Sequence, residues 1–584
     1  MKKMRTIDFV RDDRFKSHGA SVILNDDEPL WLLHEDLVAY IATLNPVNLD
    51  VIAHNTYFDG LILTQQMGFE GCRWYDTLQL ARAILPGGHE LNLDLNSLGI
   101  MLNCGGKEGA DALAELKGVR SPSPLQLEHL GEYAITDAKV CKAVWEKLSP
   151  FLTPDELALM HMTIRMGVEP RLMLNQEMLE EARHDAIVNT KQMITKAGYD
   201  AADLRSNKKF PAILEKLGII VPTKQSPTTG LDIPALGKND LEFKKLIIAY
   251  AEHMDLFNAR MAAKSNIIEK RAAAMLACTH NAVLPFPMPI KYAGAHTWRW
   301  SGNDGLNVQN FVRGSKLRLS IEAPLGHQVV VWDLSGIELR VGALLARQND
   351  VLDVVRTGAD VYSVTATKHF GYDVDKSMPE RQFGKMLDLA LGFQMGIDKF
   401  QYNAAVGFMG CPAMVLSENE SRNAVYGWRN THPQIVKFWE FNQKMLMAMT
   451  RRECKEDYMG LEYRFEAVYF PNGTALTYPN LTCNDDGDWE YGYKRKKKIY
   501  GGLFTENIVQ KYARDVIAEQ MVRVDALPDV RIVSCTHDEI ISICPDSVVD
   551  ERSASIVQIM TTPISWAPDL PLDVDGGYAR NYSK

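Results

Sequence analysis

The sequence contains no window of about 18 uninterrupted apolar residues, so no membrane-spanning helix is expected. It also lacks a secretory signal. Met1–Asp8 is basic, but it runs directly into strand-like residues, with no apolar region and no cleavage site. None of the cysteines (Cys72, Cys104, Cys141, Cys278, Cys411, Cys454, Cys483, Cys535 and Cys544) forms a CxxC pair. This argues against a zinc site or a disulfide framework and indicates a reducing cytoplasm. Basic residues are in deficit, 64 Lys and Arg against 74 Asp and Glu, for a net charge of −10. Such a balance disfavours a protein that coats nucleic acid non-specifically. It leaves room for a nucleic-acid enzyme, whose binding depends on where the cations sit. There is no short internal repeat and no low-complexity tract.

The 584 residues are 46% hydrophobic and 24% charged, an ordinary globular composition, and too many for one core. Three or four domains are expected. The first 150 residues read as mixed α/β: strand-like runs at Met4–Phe9, Ala20–Leu24 and Val51–His54 alternate with helical stretches at Leu37–Leu44 and Glu132–Leu148. From Thr153 to Ala277 the spacing of apolar residues is helical, interrupted by a turn-rich stretch at Pro222–Asp232. Strands return after Pro285 and alternate with long helices.

The chemistry-bearing segments lie in the C-terminal half. Gln328–Trp332 is a β-branched run that predicts a buried strand ending at Asp333, within Asp333-Leu-Ser-Gly-Ile-Glu338-Leu-Arg340. Val530–Thr536 and Ile540–Cys544 predict a hairpin with Asp538 at its tip. Two Asp residues at the ends of neighbouring strands suit a pair of Mg²⁺ ions for in-line phosphoryl transfer, although either one alone is more often a turn residue. Between them, Ser377 and Glu380 form a capping-box signature for a helix. On it Arg381, Lys385, Leu389 and Phe393 recur every four residues and share one stripe. Two cations followed by two apolar groups suit a triphosphate and a base pair. The bland alternative is a solvated cationic turn followed by core residues.

Taken together, these segments resemble motifs A, B and C of the family A DNA polymerases, in order and approximate spacing. Thr297-Trp-Arg299-Trp-Ser301-Gly and Leu306-Asn-Val-Gln309-Asn310 resemble the segment upstream of motif A. Glu506-Asn-Ile-Val-Gln510-Lys-Tyr-Ala-Arg514-Asp515 resembles the glutamine-bearing helix before motif C. Ala259-Arg260, Lys264-Ser265, Lys224-x-Ser226, Thr229-Gly230 and Pro234-Ala235-Leu236 resemble the bacteriophage-like branch. The resemblance implies that Asp333 and Asp538 hold two Mg²⁺ ions, with Mn²⁺ as a substitute, and that Arg381 and Lys385 bind the incoming deoxynucleoside triphosphate. It implies that Glu338 excludes a 2′-hydroxyl and that Arg299 and Gln510 read minor-groove acceptors. Gln309, Asn310 and His537 would contact the primer–template. Leu389 stands where many relatives have Phe or Tyr, Phe393 where they have Tyr, and Tyr362 where they have His; sugar selectivity is what these changes affect.

The N-terminal 150 residues resemble the DnaQ-like, RNase H-like 3′–5′ exonuclease fold. His54-Asn55-Thr-Tyr-Phe58-Asp59 matches its second motif and Tyr133-Ala-Ile-Thr-Asp137 its third. The resemblance implies metal binding by Asp8, Asp59 and Asp137, with Tyr133 orienting the attacking water. The first motif, Asp-x-Glu at a strand end, is matched only by Asp8-Phe9-Val10. Val10 would then face the metal site, so proofreading is expected to be weak or absent, and Val10→Glu is expected to restore it. The run Tyr493–Tyr500, with five basic residues between its aromatic ends, reads either as a solvated loop or as a DNA-phosphate contact.

The expected architecture is multi-domain α/β and α+β: an exonuclease-like domain (1–150), helical linker and thumb (151–284), palm (285–345), fingers (346–455) and the second part of the palm (456–584). No 5′-nuclease domain is expected ahead of Asp8. The expected partners are primer–template DNA and deoxynucleoside triphosphates, acting on a monomer in a phage-infected bacterial cytoplasm. The rival readings are a single-subunit RNA polymerase, disfavoured by Glu338, a nuclease without synthesis, and a non-catalytic DNA-binding scaffold.

Overall fold

Four antiparallel strands organise the C-terminal half of this computed structural model, which describes residues 4–106, 114–226, 230–238 and 240–584. Their order is Arg531–Thr536, Glu539–Pro545, His327–Leu334, Val574–Ala579. The second strand from each edge is the most apolar, because a strand flanked on both sides and covered by helices is buried on both faces. Val329, Val330, Ile540 and Ile541 are all essentially inaccessible. Helices Ile337–Ala346 and Gly501–Asp525 pack in the same core. The second runs for 25 residues and buries most of its length.

Two smaller cores stand apart. One joins Phe383, Leu387, Phe400, Trp428 and Trp439, from helices Glu380–Leu391, Ile397–Val406, Glu418–Thr431 and Pro433–Ala448. The other joins Leu204, Phe210, Leu214, Phe243 and Phe257, beside the long helices Gln176–Ala197, Met254–Lys264 and Ile267–Cys278. In the stretch expected to be turn-rich, Thr223–Gln225 pairs antiparallel with Asp232–Pro234; Thr229 lies outside the described residues. A β-rich layer that the sequence pattern did not reveal fills residues 455–499. It consists of a four-stranded meander from Lys455–Tyr458 to Ala475–Thr477, and a three-stranded sheet ending at Lys497–Ile499.

The first 150 residues contain an antiparallel pair, Gly19–Val22 with Leu30–Leu33, and a parallel pair, Asp50–Ala53 with Arg73–Asp76. Helices Thr56–Met67 and Pro124–Leu148 flank them. The change of composition near 150 is not a break in packing. Leu61, Trp74 and Val144 belong to one continuous core with Val331 and Ile541, and helix Pro154–Val168 is shared between the two halves.

The strand expected at Met4–Phe9 is a helix, Thr6–Val10. The cause is distant in sequence: the Asp304 carboxylate accepts the free N–H groups of Thr6 at 2.7 Å and Ile7 at 3.1 Å. It thereby satisfies the donors that a helix start leaves open. Asp8 is consequently not at a strand end. Its carboxylate is held by Arg5 at 2.7 and 2.8 Å, and it acts electrostatically on Arg11 and Cys278. Val10 is fully buried in the core. The strand-end placement of Asp8-Phe9-Val10, on which the reading of Val10 as a missing metal-site Glu rested, is therefore corrected. Val10→Glu inserts an unpaired carboxylate into packed apolar surroundings and should destabilise the protein by about 3 kcal/mol or more. Thermal melting should show a clear drop, and a mismatched 5′-labelled primer incubated with Mg²⁺ and no nucleotides should remain as long as with the parent chain.

Candidate active site

Register brings the first two carboxylates together. Asp333 lies opposite Glu539 on one side and Asp575 on the other. The Leu334 N–H donates to the Asp538 carbonyl at 3.1 Å, so the tip of the hairpin is fastened to the end of the Asp333 strand. His537 adopts a φ of 54° to make this turn, a conformation that His tolerates better than most residues. Burial pushes the Asp538 carboxyl up to about 7; Arg299 opposes this, while Glu338 and Asp333 add to it. Asp333 is raised by burial, with Lys584 and Arg313 opposing. His537 is lowered, by burial and by the Arg299 charge.

Arg299 is the counter-charge of the site. It forms an ion pair with Glu338 and approaches Asp538 at 3.9 Å. Gln510 donates to Glu506 at 3.1 Å. Burial raises the Glu506 carboxyl, as does the nearby Glu338 charge, while Arg299 lowers it. Arg299, Glu338, Glu506, Gln510, Asp538 and His537 thus share one electrostatic neighbourhood. Gln309 reaches the same hairpin, donating to the Cys535 carbonyl at 3.3 Å. The Asn310 carbonyl accepts from Arg271 at 3.2 Å.

The helix carrying Arg381 starts at Glu380, after Pro379, and has no side-chain cap. The expected capping box does not form, because Ser377 donates instead to Asp375, at 2.7 Å through its N–H and 2.6 Å through its hydroxyl. Gly384 sets the approach of this helix to Val361–Phe370. A Cβ at Gly384 would lie 2.0 Å from the Tyr362 carbonyl oxygen, a distance no side chain permits. Close approach lets Asp360, the N-cap of the facing helix, hold Arg381 with two bonds of 2.8 Å. The Arg381 guanidinium also lies 5.5 Å from the centre of the Tyr362 ring. Tyr362 in turn reaches the turn before Glu338: its hydroxyl would be 3.8 Å from a Cβ on Gly336. Leu389, Phe393 and Glu338 line one pocket together with Val361, Trp428 and His432. Lys385 is half-buried on the same stripe.

Sequence reasoning gave no role to Asp360, Glu506 or Lys584. Asp360 carried the one available signal, an Asp immediately before a helical run.

In the N-terminal region, Asp59 lies in the first turn of helix Thr56–Met67, and burial pushes its carboxyl up to about 7, with Asp76 adding to the rise. Asp76 caps helix Thr77–Ile84, accepting from Leu78 at 2.8 Å and Gln79 at 3.3 Å. Cys141 feels the charges of Asp76, Asp59 and Asp137, so these three acids share a neighbourhood. Tyr133 and Asp137 lie on helix Pro124–Leu148, one turn apart. In the basic run, Lys497 pairs with Glu90 at 2.6 Å and Lys498 with Asp488 at 2.5 Å. Lys494, Arg495 and Lys496 are exposed.

The donor set of Asp333 and Asp538 suits a hard cation such as Mg²⁺ or Mn²⁺. No group of three or more His, Cys, Asp or Glu is poised around one point among the described residues. Two carboxylates are nevertheless what Mg²⁺ uses when substrate phosphates complete its shell.

Residues 173–584 match the model of DNA polymerase family A. The chain belongs to that family. It is 33% identical over 293 residues to the DNA polymerase of Bacillus phage SP02, covering 47% of this chain and 44% of that one. It is 25% identical over 490 residues to DNA polymerase I of Pseudomonas aeruginosa, covering 79% and 48% respectively. The chain thus spans about half the length of these curated relatives. Among solved structures it resembles the POL domain of Pol1 from M. smegmatis, in a complex with DNA primer–template and dNTP. The TM-score is 0.70 at 16% identity, over 96% of this chain and 92% of that one. The family A polymerase fold accounts for the sheet and the helices around it. No helix among the described residues is long and apolar enough to cross a membrane.

One buried acid of this family A chain gives a pH signature. Asp388 accepts from Trp428 at 2.8 Å and pairs with the Thr365 hydroxyl at 2.9 Å, yet burial pushes its carboxyl up from 3.8 to about 7. The folded protein keeps this proton over an interval in which the unfolded chain has lost it, so stability falls as pH rises through that interval. Asp388→Asn removes the effect. Its melting temperature relative to the parent should rise between about pH 4 and 7 and level off above.

Proposed function

We propose that the chain is a template-directed DNA polymerase that adds deoxynucleotides to a primer 3′-hydroxyl by two-metal phosphoryl transfer. The observation that carries this reading is the fastening of Asp538 beside Asp333, with Glu338 anchored by Arg299 at the edge of the same site. In the right-hand description, the four-stranded sheet is the palm and the helices around Arg381 are the fingers. The long helices between 176 and 278 are the thumb. Mg²⁺ ions held by Asp333 and Asp538 supply activation of the attacking oxygen and charge neutralisation at the leaving oxygen.

The chain's own residues do the rest by positioning and preorganised charge. Arg381, steadied by Asp360, and Lys385 one turn later meet the triphosphate. Leu389 and Phe393 form the apolar floor beneath the base pair. Glu338, fixed by its ion pair, occupies the space a 2′-hydroxyl would need. Arg299 and Gln510 read minor-groove acceptors shared by all correct pairs, and Gln309, Asn310 and His537 lie along the primer–template. The substrates are primer–template DNA and deoxynucleoside triphosphates.

We read the N-terminal region as a DnaQ-like exonuclease-type domain centred on Asp59, Tyr133 and Asp137, with weak or absent proofreading. The ground is that Arg5 holds the Asp8 carboxylate, and that Asp8 lies on a helix in place of the strand end such a site uses.

Two substitutions test the reading. Asp538→Asn should abolish extension of a matched primer while leaving primer–template affinity within a fewfold. Because it also removes a desolvated carboxyl facing Asp333 and Glu338, the melting temperature without divalent metal should be equal to or above that of the parent. Glu338→Ala should raise ribonucleotide incorporation by about a hundredfold relative to deoxynucleotide, the scale of one mispositioned contact. Undiminished synthesis by Asp538→Asn would refute the assignment, and unchanged sugar selectivity in Glu338→Ala would remove that role.

A further inference from the structure

Arg299 and Gln510 come from distant segments, and a buried network that none of the assigned roles uses links the residues beside them. Arg299 is flanked by Trp298 and Trp300, both buried. The Trp298 indole N–H donates to the Ala475 carbonyl at 3.0 Å and that of Trp300 to the Thr163 hydroxyl at 2.8 Å. Both rings receive cations from the helix that carries Gln510. The Arg514 guanidinium lies 4.8 Å from the Trp300 ring centre and 5.7 Å from that of Trp298, and the Lys511 ammonium is 5.0 Å from Trp298. Lys511 follows Gln510 directly, and Arg514 lies one turn beyond it.

These cations are fixed from below. Both terminal nitrogens of Arg514 engage the Glu156 carboxylate. Lys511 donates to Asp515 at 2.5 and 2.6 Å and to the Thr474 hydroxyl at 2.6 Å. Glu156 also accepts from the Tyr292 hydroxyl at 2.7 Å and from Asn472 at 3.2 Å. The side chains of Arg514 and Lys511 are 0% exposed, that of Glu156 2% and that of Asp515 3%. Four charges summing to zero have been withdrawn entirely from water, at an effective cost of several kcal/mol per ion. An apolar core would stabilise as well or better, so what the network provides is defined geometry.

We propose that Glu156, Arg514 and Lys511 are positioning residues that hold Arg299 and Gln510 at a fixed separation, as a rigid gauge of the minor groove at the newly formed pair. The proposal rests on the reading of Arg299 and Gln510 as minor-groove contacts. Correct pairs present their acceptors at similar positions, so two donors held at fixed spacing accept them all and penalise a displaced pair. Donors free to adjust would tolerate the mismatch.

The test compares extension of matched and mismatched primer termini, with kcat and KM separated and melting temperatures recorded. Glu156→Gln keeps the shape and removes the charge; Trp300→Phe keeps an aromatic face but loses the bond to Thr163 and part of the ring that meets Arg514. Each should lower the preference for a matched terminus by about tenfold, mainly through kcat, since small misplacements are costly in this range. The double variant Glu156→Leu with Arg514→Met replaces the pair by apolar groups. It should recover stability and leave discrimination impaired. Discrimination that returns together with the melting temperature would reduce the network to a stability element and overturn the proposal. If Glu156→Gln fails to fold, unchanged discrimination in Trp300→Phe overturns it instead. Arg299→Ala, measured in parallel, separates the two levels. If it leaves discrimination intact, the minor-groove reading itself fails. If it erodes discrimination while Glu156→Gln and Trp300→Phe do not, only the positioning proposal fails.

Discussion

The antiparallel register of His327–Leu334 against Glu539–Pro545 is the constraint from which the site follows. Side chains alternate along a strand, so a slip of one residue would turn Asp333 to the other face. The register is specified by the apolar residues on both strands and closed by the bond from Leu334 to the Asp538 carbonyl. Two acids are thereby pressed together in a place that disfavours both of their charges. Arg299 offsets this at Asp538, while the Glu338 carboxylate that it pairs with adds to the negative charge. Such a site is built at the expense of stability, as functional sites commonly are.

The remainder of the chain serves this arrangement at different distances. Gly384 admits one helix close to another so that Asp360 can hold Arg381. In helix Gly501–Asp525 Gln510 is partly exposed, while Lys511 beside it and Arg514 one turn further are buried. The N-terminal region joins the same core through helix Pro154–Val168. Gln79 accepts from the Tyr292 N–H at 2.8 Å, and Tyr292 donates onward to Glu156. Whatever its own chemistry, the N-terminal region braces the helix that carries Gln510.

What was legible in the sequence was local. β-branched runs around Asp333 and Asp538 declared their strands, and the fourfold spacing from Arg381 to Leu389 declared its helix, because pattern and structure are coupled within a few residues there; the helix ends at Leu391, so Phe393, expected on the same helical stripe, lies in the turn beyond it. What was not legible depended on partners far along the chain. Met4–Phe9 looks like a strand in isolation, but Thr6–Val10 is a helix whose first N–H groups are accepted by Asp304. Ser377 offered a capping box, but Asp375, two residues away, captured its hydroxyl. The β-rich layer of 455–499 is made of strands of two to four residues, too short for alternation to stand out. The Glu156–Arg514 pair joins residues whose separation in sequence conceals any relation between them.

The most direct test of the central claim is single-nucleotide addition to a labelled primer on four templates that differ only in the first unpaired base, with Mg²⁺ and each deoxynucleoside triphosphate in turn. The account predicts one-base extension by the complementary nucleotide on each template, and none with Asp333→Asn despite retained DNA binding. Addition that ignores the template base, or that persists in Asp333→Asn, would contradict it.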